Sequence, residues 1–118
     1  MKQIFTTVTV DATGKPLGRV ASTVSIFLQS KQKAGYVRNA EPSTKVTVTN
    51  LSKITFSGKK FTQKKYYKHS SYPGGIRMST LQASWQKNPV SVFRKTVERM
   101  LPKNRLQKKM LSHLSITL

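Results

Sequence analysis

The chain carries 22 Lys plus Arg residues against three carboxylates, Asp11, Glu41 and Glu98. Three anions cannot pair with 22 cations, so most of the positive charge has no internal partner and repels itself in any compact state. Whatever the fold, it must spread these cations over its surface and meet their counter-charge outside. An acidic membrane is one source of that charge. Membrane-seeking helices, however, put Lys and Arg on one face and large apolar residues on the other, whereas here basic residues run through predicted strands and loops as well. Nucleic acid is the polyanion that fits.

The densest part of this imbalance is Lys59–Ser79, KKFTQKKYYKHSSYPGGIRMS, which contains no carboxylate. Lys59, Lys60, Lys64, Lys65, Lys68 and Arg77 are interleaved with Phe61, Tyr66, Tyr67, Tyr72 and His69. Cations of this kind neutralise phosphates and release counterions, and exposed tyrosine rings stack on unpaired bases for about 1–3 kcal/mol each. The bland alternative is a solvated charged face whose tyrosines merely pack. Charge across the whole chain favours the nucleic-acid reading.

At 118 residues the sequence predicts one domain, 1–118, with a modest core, because only 36% of its residues are hydrophobic. There is no cysteine, which excludes disulfides and thiolate metal sites. No run reaches the ~18 apolar residues of a membrane span, and MKQIFTTVTVDATG lacks a long apolar signal core. A soluble chain that is not secreted is expected.

Periodicity predicts a strand at Thr7–Asp11, then a turn at Thr13–Pro16 with Pro16 as the first residue of a helix. Leu17, Val20, Ala21, Val24, Phe27 and Leu28 form one apolar face of that helix. The spacing around Gly14 matches no nucleotide-binding glycine motif, which leaves Lys15 and Arg19 beside helix N–H groups as a weaker backbone-phosphate site. Ser30–Thr44 reads as a loop, Lys45–Thr49 as a second strand and Ile54–Ser57 as a third. Phe61–Lys68 reads as an extended basic ribbon, broken by Pro73-Gly74-Gly75. Ser79-x-x-Gln82 fits a capping box before Leu81 and Trp85. Asn88-Pro89 caps a helix whose apolar face is Val90, Phe93, Val97, Met100 and Leu101. Glu98 is expected to pair with Arg94 or Lys95. After Pro102 comes a basic helix with Leu106, Met110 and Leu114 inward and Lys103, Arg105, Lys108 and Lys109 outward, then a short strand at Ser115–Leu118. This order predicts an α/β domain with a partly parallel sheet and helices on both faces.

Catalysis is poorly supplied. Glu41 and Glu98 lie on different elements, His69 and His113 are too few for a metal site, and no G-x-S-x-G occurs. Asp11, ending a strand beside a glycine turn, is the one position an α/β enzyme would use, against the simpler role of a turn-forming Asp that caps residues 12–14. His69, among lysines, reads as a phosphate or base contact.

Three segments carry a family resemblance: Val10–Ala21 (VDATGKPLGRVA), Lys65–Ile76 (KYYKHSSYPGGI), and Val97–Leu114 with its Met100-Leu101-Pro102-Lys103 core. In order and spacing they resemble the universal L-thirteen family of bacterial-type large-subunit ribosomal proteins. The resemblance implies a three-layer α/β/α domain around a four-stranded, mostly parallel sheet, with a basic extended ribbon and C-terminal helices. It implies an early-assembling structural protein bound to large-subunit rRNA and neighbouring ribosomal proteins, with no catalysis, no cofactor, no small-molecule substrate and no membrane. Its location would be the cytoplasmic ribosome, with an organellar ribosome as the alternative. The matching positions on RNA are Lys15, Arg19, Lys65, Tyr66, Tyr67, Lys68, His69, Gly74, Gly75, Lys103 and Arg105. Residue chemistry adds Lys59, Lys60, Lys64, Arg77, Lys108 and Lys109. Departures from the family pattern fall at Glu41–Thr44, Asn50–Ser52, Asn104 and Gln107, and a short N-terminal lead and no C-terminal extension are expected. The rival reading is a structured-RNA or mRNA-binding regulator acting outside the ribosome, which would use the same residues.

Overall fold

A computed structural model describes residues 4–118. Thr6–Asp11 (β1) alternates Thr with Val and pairs in parallel with Thr44–Thr49 (β2), Val8 opposite Val46 and Val10 opposite Val48. Leu114–Ile116 (β5) pairs in parallel with the other edge of β2, giving the order β1-β2-β5. The parallel sheet therefore has three strands, not the four expected.

The missing strand is Ile54–Ser57. Asn50 takes a left-handed conformation (φ 57°) and Leu51–Lys53 coils into a 3-10 turn, which aims the next residues at the β1–α1 connection. There they make one isolated parallel bridge, Thr55 to Pro16, with the Thr55 N–H donating to the Lys15 carbonyl at 3.1 Å. Ile54 is buried and Phe56 half-buried, so the alternation serves packing rather than a ladder.

Leu17–Leu28 (α1) places Leu17, Val20, Ala21, Val24 and Leu28 in the core. Pro16 is extended (ψ 145°) and precedes the helix instead of starting it, and Phe27 lies only half-buried at the edge of the face. The loop that follows is pinned to β2 by a buried pair, Ser30 and Thr44, whose hydroxyls lie 3.0 Å apart. Pro89–Met100 (α4) starts as expected, the Asn88 side chain accepting from the Ser91 N–H at 3.2 Å, and contributes Val92, Phe93 and Val97. Leu101 closes the core and Pro102 stops the helix. The expected capping box does not form: Thr80, not Ser79, caps Leu81–Lys87 (α3) by accepting from the Ala83 N–H, and Ala83, at the third helical position, has no polar side chain to reciprocate. Gln107–Ser112 (α5) buries Met110 and leads into β5.

The core gathers around β2, whose Val46 and Val48 are fully buried, and α1 and α4 pack against each other over it. A sheet ordered β1-β2-β5 steps in one direction, and right-handed crossovers then keep both connections on one side. That is the valine side. The opposite side carries Thr7, Thr9, Thr47 and Ser115, none of them buried, where helices on both faces were expected.

Phe93 is 0% exposed at the centre of this core. Phe93→Ala should cost about 3–5 kcal/mol, seen as a lower urea midpoint with unchanged m-value in high-salt buffer. A loss below about 1 kcal/mol would place the packing centre elsewhere.

Candidate nucleic-acid interface

The basic segment folds into an antiparallel hairpin apart from the main sheet. A short helix, Lys60–Gln63 (α2), leads into Lys65–His69 (β3), which pairs with Ile76–Thr80 (β4) from Lys65 opposite Thr80 to His69 opposite Ile76. The expected ribbon is thus half of a two-stranded element, and its first residues are helical. The molecule is elongated accordingly: its radius of gyration is 15.9 Å, against about 13.5 Å for a compact chain of this length.

The hairpin tip is built by its small residues. The Gly75 N–H donates to the Tyr72 carbonyl at 2.9 Å, with Pro73 and then Gly74 (φ 71°) as the central residues, a type II turn. A side chain on Gly75 would meet the Ser70 hydroxyl at 2.0 Å and the Tyr72 carbonyl at 2.9 Å. The glycine pair therefore has a structural task at this turn. His69 also serves the tip, its Nδ1 accepting from the Ser71 N–H at 3.0 Å, which leaves Nε2 as the outward nitrogen.

The base of the hairpin is fastened by aromatics and one backbone bond. Phe56 contacts Phe61 (5.0 Å between centroids) and meets Trp85 edge-on at 5.1 Å, so Phe61 anchors the ribbon instead of facing RNA. The Leu81 N–H donates to the Lys64 carbonyl at 2.8 Å.

Strand alternation separates the two tyrosines that look equivalent in sequence. Tyr66 turns toward the body, half-buried, with Arg99 5.7 Å and Lys64 5.6 Å from its ring centroid. Its hydroxyl is buried without a hydrogen-bond partner among the described residues, beside a cavity of about 150 Å³ lined by Ser79, Ser84, Ser91, Lys95 and Thr96. Burial pushes the Tyr66 phenol up from its ordinary pKa, and the Arg99 charge opposes that rise. Tyr67 points to solvent, 66% exposed. Lys65, Lys68 and Arg77 are all exposed, with Lys68 directly opposite Arg77.

Two further basic groups lie outside the hairpin. Lys15 and Arg19 are exposed at the start of α1, where Pro16 offers no side-chain cap. A groove of about 260 Å³ joins Pro16–Gly18 to Lys60 and Lys64, so the first turn and α2 form one basic surface, with Lys59 exposed beside it. Lys103 and Arg105 are exposed between α4 and α5, and Lys108 on α5. Lys109 is engaged by Glu41 in an ion pair, which also holds the Glu41 carboxyl below its ordinary pKa. Glu98 has no ion pair among the described residues, contrary to the local pairing expected, and its backbone carbonyl accepts from Gln107.

Four cations outside the sequence-predicted set also stand beside these surfaces. Lys95 and Arg99 stand one turn apart on α4 and reach Tyr66 from a distant part of the chain, a proximity that only tertiary packing creates. Lys31 and Arg38 border a groove of about 300 Å³ with Pro102 and Asn104. The cations of the Ser30–Thr44 loop were the available signal.

Asp11 is occupied as a turn-former. Its Oδ1 accepts from the Thr13 N–H (3.0 Å), the Thr13 hydroxyl (2.7 Å) and the Asn50 amide (3.1 Å), which fixes the β1–α1 turn and ties it to the end of β2. Among the described residues, no three His, Asp or Glu side chains converge.

The profile of the family described as Ribosomal protein L13 matches residues 6–116. The chain belongs to the ribosomal protein L13 family. The large ribosomal subunit protein uL13 of Aquifex aeolicus (strain VF5) is 48% identical over 107 residues, which cover 91% of this chain and 74% of that protein. Those of Persephonella marina and Treponema pallidum (strain Nichols) are 43% and 42% identical over 107 residues, covering 91% of this chain and 71% and 75% of those proteins. The L13 match spans β1 through β5, so it takes in the parallel sheet, the hairpin and both flanking basic groups.

The hydrogen bonds from Thr13 and then Asn50 lower the Asp11 carboxyl to about 2. With the folded value below the unfolded one, its contribution to stability is present above about pH 4 and is lost as pH falls through about 2. A carboxyl-resolved NMR titration should find that low midpoint in the wild type and a higher one in Asn50→Ala. An unshifted wild-type midpoint contradicts the three-bond geometry.

Proposed function

We propose that this chain is a structural protein of the large ribosomal subunit, one domain that binds large-subunit rRNA early in assembly through its hairpin and flanking basic groups. One observation carries the reading: the carboxylate-free segment Lys59–Ser79 is lifted off the core as an exposed hairpin whose cations have no acidic partner among the described residues. Phosphates are the anions dense enough to answer that charge, and binding them releases counterions. Neutralisation at RNA junctions lets segments approach that otherwise repel.

The three basic groups act on separate phosphates, with Lys15, Arg19, Lys59, Lys60 and Lys64 on one surface, Lys65, Lys68, His69 and Arg77 on the hairpin, and Lys103, Arg105 and Lys108 after α4. Lys109 joins the last group when RNA displaces Glu41. The core supplies placement and no chemistry. On this reading the hydroxyl-bearing face of the sheet acquires its outer layer from the assembled particle, which completes the three-layer arrangement that the family resemblance implies. Relatives named as large-subunit proteins support the same assignment, and with it neighbouring subunit proteins as partners and the ribosome as location.

If about six phosphates are engaged, log K against log salt should have a slope near −4 to −5. A filter-binding titration with large-subunit rRNA reads it, and a slope near zero dismisses the reading. Sedimentation through a sucrose gradient in high salt separates this function from an extra-ribosomal regulator: a ribosomal component stays with large subunits, and a regulator does not.

A further inference from the structure

The two faces of the hairpin differ in kind. On the face that includes Tyr66, residues pack toward α3 and α4 or carry charge. The other face presents Tyr67 opposite Met78 and His69 opposite Ile76, with Lys65 at its base. Tyr67 is 66%, Ile76 64% and Met78 54% exposed, and they adjoin one another across the two strands. A chain this polar gains nothing from holding a contiguous apolar strip in water, so the strip marks a contact.

We propose that this outer face is a stacking platform for unpaired RNA bases, with Tyr67, Met78 and Ile76 as its floor and Lys65, at its base, holding a neighbouring phosphate. The inference deepens the function proposed above and rests on it, because it names which part of an RNA the hairpin takes. Charge decides the occupant: no carboxylate lies anywhere in Lys59–Ser79, so every charged residue of the hairpin is a cation, Lys65 on this face and Lys68 and Arg77 on the other, which suits a polyanion and disfavours an ordinary mixed-charge protein surface. Chemistry then decides the kind of RNA. An A-form helix shows phosphates and 2′-hydroxyls with its bases stacked inside, and offers nothing for Tyr67, Met78 or Ile76 to cover. Splayed bases in loops and bulges have free π-faces that bury such side chains. His69 fits the same role, since it lies opposite Ile76 on this face and its Nδ1 is committed to Ser71, which leaves Nε2 for a ligand. Tyr66, adjacent in sequence, is a fastening residue under Arg99 and takes no base.

The test compares the full chain with its Tyr67→Ala, Tyr67→Phe and Tyr66→Phe variants by fluorescence anisotropy. The probes are a short unstructured RNA and an A-form RNA duplex of the same length, at one salt concentration. Tyr67→Ala should weaken binding to the unstructured RNA by about 5- to 150-fold, the range expected of one base stack, and change duplex binding by less than about twofold. Tyr67→Phe, which keeps the ring, should restore the loss, and Tyr66→Phe should bind as the wild type does. The platform is overturned if Tyr67→Ala binds both probes as the wild type does, which would hand the strip to a protein neighbour, or if it weakens both equally. Wild-type protein that binds neither probe would sink the rRNA-binding function as well, whereas wild-type binding unaffected by Tyr67→Ala sinks the platform alone.

Discussion

Unmatched positive charge is the condition under which everything else in this molecule is arranged. A fold with three acids and 22 cations gains most by keeping the cations far from one another and near water. The core obeys this strictly. It is assembled from Val10, Val46, Val48, the buried face of α1, and Phe93 and Val97 of α4, and among the described residues it contains no charged side chain. Its few buried polar groups, Ser25, Ser30 and Thr44, are hydroxyls that bond one another or nearby backbone. The acids stabilise local structure: Asp11 organises a turn and Glu41 pairs with Lys109.

Placing the charge outside the core creates a second problem, because a lone hairpin in water is marginal. The structure solves it at the base. Phe56 packs against both Phe61 and Trp85, Tyr66 has Lys64 and Arg99 near its ring, and α3 starts directly from β4 through the Thr80 cap. Toward the tip, support among the described residues narrows to the turn bonds of Tyr72–Gly75 and the Ser70–Gly75 and Ser71–His69 contacts. The element is therefore held firmly at its base and more loosely at its tip. That gradient suits the proposed role, in which the surface adapts to irregular RNA.

Much of this was legible because hydrophobic period reports burial directly. The Thr-Val alternation of β1 and β2, the α1 face from Leu17 to Leu28, and the Asn88-Pro89 start of α4 all appear where the pattern puts them. Ile54 and Phe56 show where period fails: two alternating apolar residues suit a strand and equally suit a coil pressed against a neighbouring turn, and the left-handed Asn50 decides for the coil. The same limit applies at the site. That Lys59–Arg77 gathers cations with no carboxylate among them is legible in its composition. That Tyr66 anchors while Tyr67 faces out follows only from hairpin register, and the approach of Lys95 and Arg99 only from the packing of α4. The structural requirement for Gly75 is likewise invisible in sequence, because it comes from Ser70 and Tyr72, which a side chain there would meet.

The most direct measurement is a map of lysine-to-RNA crosslinks in native particles. The account predicts that Lys59, Lys60, Lys64, Lys65 and Lys68 crosslink to large-subunit rRNA at sites that include unpaired nucleotides, with Lys15 and Lys103 joining other strands. Crosslinks from these lysines to protein alone, or particles that lack the chain altogether, would contradict it.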